Sequence, residues 1–221
     1  MNTIIVTNTG NFWSPNARYS VMDAASRWNA TVTEITEVAC IFRDKFKRHD
    51  INADRVLHLD ADIVIRQDCP DPFEIVSPTM FGAVSNYQDD ERLAERLEMD
   101  GHAWSWLCQH LGRKDFSVSE AINGGFLMWT PEIHAPIIKQ LDTLLPDKMP
   151  CLAEQAAWSW AFRDCLHLLP HSFNRVGRSV WTSTHCMTSY VYHWANWFEF
   201  RGTDAKRARI QRTGWMTPVE V

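Results

Sequence analysis

The sequence has no Cys-x-x-Cys pair and no Cys/His cluster at zinc spacing, which removes a zinc-stapled module from consideration. It has no apolar window near the roughly 18 residues of a membrane span. It lacks a basic segment followed by a long apolar run at its start, so Met1–Val6 reads as a first strand rather than a signal peptide. Positive charge is not in excess: 22 Lys+Arg stand against 27 Asp+Glu, for a net charge of −5, which argues against a general nucleic-acid binder. Internal repeats and low-complexity linkers are absent. So are the P-loop, G-x-G-x-x-G, H-E-x-x-H and G-x-S-x-G patterns, which sets aside the common nucleotide-binding, zinc-protease and esterase devices.

What is present is ordinary in bulk and unusual in detail. The 221 residues suit one domain, or one with an appendage, and a chain of that length buries about 70% of its unfolded surface. Hydrophobic residues make up 45% and charged residues 22%, values of a soluble globular protein. There are 11 Trp, most of them expected in the core, with Trp104 and Trp106 nominated for an acceptor groove by sugar stacking. The six cysteines read as reduced, mostly buried thiols, which with the missing leader gives a cytoplasmic expectation.

Along the chain, apolar runs alternate with helical spacing. Strands are expected at Ile4–Val6, Thr31–Val38, Arg55–Asp60, Phe81–Ser85, Gly125–Trp129 and Leu166–Leu169. Helices are expected at about 17–28, 39–48, 89–112, 132–145 and 154–164. This alternation predicts an α/β fold with a mainly parallel central sheet. In such a sheet ligands sit beyond the carboxyl ends of the strands, where the Thr7–Phe12 turn and the acids after Leu59 both fall.

Asp60-Ala61-Asp62 is the first pattern with chemistry in it. Two acids two residues apart share one face of a continuing strand. They repel unless a cation lies between them, and a hard divalent ion accepts carboxylate oxygens while leaving positions for diphosphate. The plainer alternative is a turn that caps the next element. The apolar runs on both sides, Val56–Leu59 and Ile63–Ile65, make these acids half-buried, and unpaired buried charge is costly.

Arg55–Ile65 resembles the D-x-D segment of glycosyltransferases with the GT-A, Rossmann-like fold. It is most similar to glycosyltransferase family 8, which includes glycogenin and bacterial lipopolysaccharide galactosyltransferases. Asp71-Pro72-Phe73 resembles that family's D-P-hydrophobic element, and Asn123-Gly124-Gly125 its N-[ASG]-G strand. Glu154-Gln155 resembles its D-Q helix start, Leu169–Asn174 its L-P-x-x-[YF]-N, and Tyr192-His193-Trp194 its late strand ending in His. The resemblance covers residues 1 to about 200 and leaves 201–221 as a basic C-terminal tail.

The resemblance implies a metal-dependent transfer of a sugar from a nucleotide diphosphate, a UDP-sugar first, to an acceptor hydroxyl with retention. It makes Asp60, Asp62 and His193 the metal ligands, although His193 lies 131 residues after Asp62. A nitrogen ligand suits Mn²⁺ better than Mg²⁺, the second choice. It places Thr7, Asn8 and Asn11 at the nucleotide, Ala61 within the motif, and Asn123, Gly124 and Gly125 at the donor. A basic residue about 16 positions before the motif is implied, which fits Arg43 or Lys45 equally. Glu154 and Gln155 take the catalytic positions beside the donor sugar. The chain departs from the family in three ways: no acid or Tyr in the first loop, Glu for Asp at 154, and no G-x-x-K after the His.

The implied partners are a nucleotide-sugar donor and a carbohydrate, glycolipid or protein acceptor, without nucleic acid and without a transmembrane segment. The tail, with Arg201, Lys206, Arg207, Arg209 and Arg212, admits weak peripheral contact at the inner membrane surface. Two other readings stand beside this one. A GT-A-like nucleotidyltransferase calls for a Gly-rich basic first loop, whereas Asn8–Trp13 has one Gly and no basic residue. A catalytically silent carbohydrate-binding module would use the Trp faces and no metal.

Overall fold

A computed structural model describes residues 1–8, 13–37, 43–87, 93–112, 121–150, 152–176 and 189–193, with backbone alone for 93–97 and 99. The strands are β1 (Asn2–Thr7), β2 (Ala30–Ile35), β3 (Val56–Asp60), β4 (Ile63–Ile65), β5 (Phe81–Ser85), β6 (Ile122–Trp129), β7 (Leu166–Leu169), β8 (Arg175–Val176) and β9 (Val191–His193). The helices are α1 (Pro15–Arg27), α2 (Pro72–Ile75), α3 (Leu93–Leu111), α4 (Pro131–Leu144) and α5 (Ala153–Phe162). The segment expected as a helix at 39–48 is a short 3₁₀ turn at Asp44–Arg48 where it is described.

Six strands form one sheet in the order β2-β1-β3-β6-β5-β7. Only β6 runs against its neighbours, β3 and β5; the β1–β2, β1–β3 and β5–β7 pairs are parallel. The expected mainly parallel α/β architecture is what the chain adopts. The inner strands β1, β3, β5 and β6 are buried along nearly their whole length because both faces of the sheet are covered, while edge strand β2 alternates half-buried and exposed residues. Ile4, Val6, Leu57 and Leu59 enter one core with Val21, Ala24 and Ala25 of α1. Ile5 and Val56 enter the other with Phe81, Trp129, Trp158 and Phe162.

That second core explains much of the tryptophan. Trp158 stacks on Phe46 at 4.7 Å between centroids and lies 6.2 Å from Trp129, while Phe81 and Phe162 stack at 4.0 Å. Trp104 is buried in the same cluster and Trp106 packs against it, its ring stacked on His110 at 5.2 Å. Trp104 therefore serves the core rather than an open acceptor groove, because α3 lies against α5. The described cysteines, Cys69, Cys108 and Cys165, are free thiols.

Local signals place α1. Ser14 accepts from the Ala17 amide and Pro15 occupies the first turn, where a missing N–H is harmless. Ser20 on its buried face accepts from the Ile65 amide at 3.0 Å, which ties the helix to β4. A small second sheet, β4-β9-β8, begins where the chain leaves the carboxyl end of β3.

Candidate metal centre

Parallel pairing of β1 with β3 sets Thr7 opposite Asp60, so both strands end on the same edge. Ala61 is buried in the two-residue turn that joins β3 to β4. Antiparallel pairing of β4 with β9 then sets Ile63 opposite His193, beside Asp62. The long gap in sequence is thus closed by two strand registers.

Asp60, Asp62 and His193 each offer a ligand atom, and these atoms lie within 4.8 Å of one another. His193 Nε2 is 3.3 Å from Asp62 Oδ1 and 3.5 Å from Asp60 Oδ2. Neighbouring ligands about 2.1 Å from a six-coordinate ion sit roughly 3 Å apart, so the donor set fits a divalent cation. Burial works against a charged imidazole, yet Asp62 and then Asp60 hold the His193 pKa above its ordinary value. Burial alone would raise the Asp62 carboxyl, but His193 keeps it below the usual carboxylate range. The cluster therefore attracts positive charge, whether a proton or a metal ion.

The two glycines of Asn123-Gly124-Gly125 have specific reasons. A Cβ on Gly125 would stand 2.2 Å from His193 Cε1 and 2.5 Å from Nδ1, so the imidazole packs directly against bare backbone. A Cβ on Gly124 would meet Gln155 Cγ at 3.1 Å, Glu154 Oε1 at 3.4 Å and Lys45 Nζ at 3.5 Å. The register slips here: Ala83 to Ser85 on β5 faces Leu127 down to Ile122 on β6, so β6 bulges at these residues.

Lys45 reaches this bulge from the 3₁₀ turn. Its ammonium is 2.9 Å from Asp60 Oδ1 and donates to the Gly124 carbonyl at 2.9 Å. Burial disfavours its charge, but Asp60 and Glu154 more than compensate and raise its pKa. Glu154 and Gln155 are buried in the first turn of α5, whose start follows Leu152 in the left-handed region at φ 66°. Gln155 Oε1 accepts from the Gly124 amide at 2.8 Å. Burial pushes the Glu154 carboxyl up to about 7, against the opposing pull of Lys45. Glu154 Oε2 is buried without a hydrogen-bond partner.

Three solved structures share this architecture. WbbM, a bifunctional glycosyltransferase in its apo form, matches at TM-score 0.61 and 10% identity over 87% of this chain, which spans 45% of WbbM. A glycosyltransferase involved in glycosylation of the major capsid of PBCV-1 matches at 0.59 and 11%, over 96% of this chain and 98% of that one. The galactosyltransferase LgtC, in complex with donor and acceptor sugar analogues, matches at 0.53 and 12%, over 98% and 97%. The chain carries the GT-A fold. No protein-family model matches the sequence, and no curated protein matches it. At these identities the likeness is one of fold.

On the GT-A scaffold the residues singled out from sequence fall into three groups. Asp60, Ala61, Asp62, Lys45, Asn123, Gly124, Gly125, Glu154, Gln155 and His193 lie around one centre. Thr7 is at the same edge, but its hydroxyl is engaged with His58 Nε2 at 2.9 Å. Burial, and next Lys45, drive that imidazole down to about 3, so His58 is a neutral core partner. Asn8 is engaged with the protein itself: its Nδ2 donates to Glu34 at 2.7 Å and its Oδ1 accepts from the Trp13 amide at 3.2 Å. Arg43 turns away, its guanidinium on the side chain and carbonyl of Asp142 in α4. Of the two candidate cations it is Lys45 that stands at the acids. Asn11, Trp194 and the 201–221 tail lie outside the described residues.

Sequence reading overlooked Glu34, Asn86 and Asp100. Glu34 sits in a β-branched strand and Asp100 in a charged helix, so no motif separates either from a solvated residue. No described helix is long and apolar enough to cross a membrane.

Proposed function

We propose that this chain is a metal-dependent glycosyltransferase, moving a hexose from a nucleotide diphosphate sugar, a UDP-sugar first, to an acceptor hydroxyl with retention. The observation that carries this reading is the Asp60–Asp62–His193 cluster at the carboxyl edge of a GT-A sheet. Fold neighbours that are glycosyltransferases support it. Asp60, Asp62 and His193 hold the ion, Mn²⁺ by its tolerance of mixed oxygen and nitrogen ligands. Bound there, it supplies Lewis acidity toward a diphosphate leaving group.

The chain's own groups do the rest. Lys45 is fixed by Asp60 and the Gly124 carbonyl, a preorganised positive charge beside the diphosphate. Glu154, its carboxyl raised to about 7 by burial, is partly protonated near neutrality and serves a sugar hydroxyl as donor or acceptor. In that state it is a weak nucleophile. The Gln155 oxygen is committed to the Gly124 amide, which leaves its NH₂ to point at the sugar. With no committed nucleophile, retention follows a same-face route in which the departing phosphate takes the acceptor proton. The missing side chains of Gly124 and Gly125 let Lys45, Glu154, Gln155 and His193 close around one point, where the donor sugar would meet them together with Asn123. The acceptor is a carbohydrate, glycolipid or protein hydroxyl, and the basic tail adds weak attraction to anionic head groups.

A thermal-shift screen of nucleotide sugars with and without Mn²⁺ tests this. A donor at about a hundred times its Kd adds roughly 2.7 kcal/mol of stability, which for a chain of this size raises Tm by about 5–10 °C. The expected result is a shift for one nucleotide sugar that needs Mn²⁺ and disappears in Asp62→Asn. No shift with any nucleotide sugar rejects the reading. A shift independent of metal favours a silent binding module.

A further inference from the structure

A buried line of polar side chains runs from α3 to the wall of the metal centre. Asp100 is 2% exposed, and its Oδ2 accepts from Asn86 Nδ2 at 2.8 Å. Asn86 Oδ1 accepts from Asn123 Nδ2 at 3.3 Å. Asn123 Oδ1 accepts from the Gly125 amide at 2.9 Å and from Asn174 Nδ2 at 2.8 Å. The Asn86 amide is itself pinned to the Ala121 carbonyl at 2.8 Å.

The two ends of this line leave no choice of direction. A backbone N–H only donates and a carboxylate only accepts. The Gly125 amide requires the oxygen edge of Asn123, which turns the Asn123 NH₂ toward Asn86. That in turn requires the oxygen edge of Asn86, whose NH₂ then needs an acceptor, and Asp100 is that acceptor. Each carboxamide is thereby oriented by its neighbour, in a buried setting where an unmet polar group is costly.

The oriented end of the line matters for chemistry. Gly125 is the residue against which the His193 ring rests, and Asn123 begins the same bulge. We propose that Asp100 is a positioning residue of the donor site, which through Asn86 fixes the edge of the Asn123 carboxamide that meets Gly125 and so the wall offered to the donor sugar. The donor part rests on the glycosyltransferase reading; the ordering of the amides does not. Asp100 touches neither ion nor sugar and acts through Asn86 and Asn123.

The experiment has two arms. By NMR, the side-chain NH₂ protons of Asn86 and Asn123 and the Gly125 amide exchange slowly in the wild-type protein; fast exchange there overturns the proposal without any variant. In Asp100→Ala the Gly125 amide exchanges at least tenfold faster. Asp100→Asn, which keeps an acceptor oxygen, restores its protection. Unchanged protection in Asp100→Ala, or equal loss in both variants, overturns it. By calorimetry with Mn²⁺, UDP binds Asp100→Ala within twofold of wild type, while UDP-glucose and UDP-galactose each lose about three- to tenfold of any affinity above UDP. Equal losses for UDP and UDP-sugars mark Asp100 as a general structural residue and refute its donor role. Should no UDP compound bind the wild-type protein, the enzyme reading falls while the exchange arm still decides the ordering.

Discussion

The contact between Gly125 and His193 is the sharpest steric constraint at this centre, and a double-mutant cycle measures it. In Gly125→Ala the new methyl would lie 2.2 Å from His193 Cε1, 2.5 Å from Nδ1 and 3.0 Å from Nε2. Carbon atoms prefer about 3.5–4.0 Å, so the ring must retreat by more than an ångström. It has little room: His193 is 5% exposed, its strand is paired to β4 at Ile63, and two carboxylates hold its Nε2. Overpacking of this kind costs about 1–3 kcal/mol, and the buried ring puts it at the upper end. Gly125 does not have a positive φ, so alanine brings no backbone strain of its own. In a His193→Ala background the methyl enters vacated space, and the cost falls below about 0.5 kcal/mol. The coupling energy is therefore about 2–3 kcal/mol. Urea unfolding of the four proteins in EDTA, followed by tryptophan fluorescence, gives each term. Equal cost of Gly125→Ala in both backgrounds would refute the packing argument.

Two further outcomes follow from the charges. The Glu154 carboxyl is raised from 4.5 to about 7 in the folded state, so its contribution to stability is full below pH 4.5 and lost as pH rises through 7. Glu154→Gln carries no such loss, and its advantage over wild type should grow by on the order of 3 kcal/mol between pH 4.5 and 8; a constant gap in urea midpoints contradicts the burial argument. Lys45→Met strips Asp60 and the Gly124 carbonyl of their shared cation. It should cost about 3 kcal/mol in EDTA, with part recovered on adding Mn²⁺; wild-type stability of this variant in EDTA would show the pair to be idle.

Much of this centre is written in local sequence, and the reason is physical. Strands buried on both faces must be apolar throughout, so Ile4–Val6 and Val56–Leu59 announce themselves, and acids placed where such a strand leaves the core need a cation or a turn. Asn123-Gly124-Gly125 shows its missing side chains, and Glu154-Gln155 opens a recognisable helix. Other features depend on partners that no local pattern specifies. Arg43 and Lys45 are two residues apart and chemically alike, yet one meets Asp142 on α4 and the other Asp60 on β3. Trp104 looks like a sugar platform until α3 is set against α5.

The sequence alone determined the alternation of strand and helix, the edge where ligands gather and the residue types able to hold a divalent ion. These depend on hydrophobic period and side-chain chemistry, both local. Tertiary structure alone decided by which strand pairings the imidazole of His193 reaches the two aspartates, that Gly125 must be bare to admit it, and that an aspartate on a distant helix orients Asn123. Those are matters of strand register and of which donor faces which acceptor, and they exist only once the chain has closed on itself.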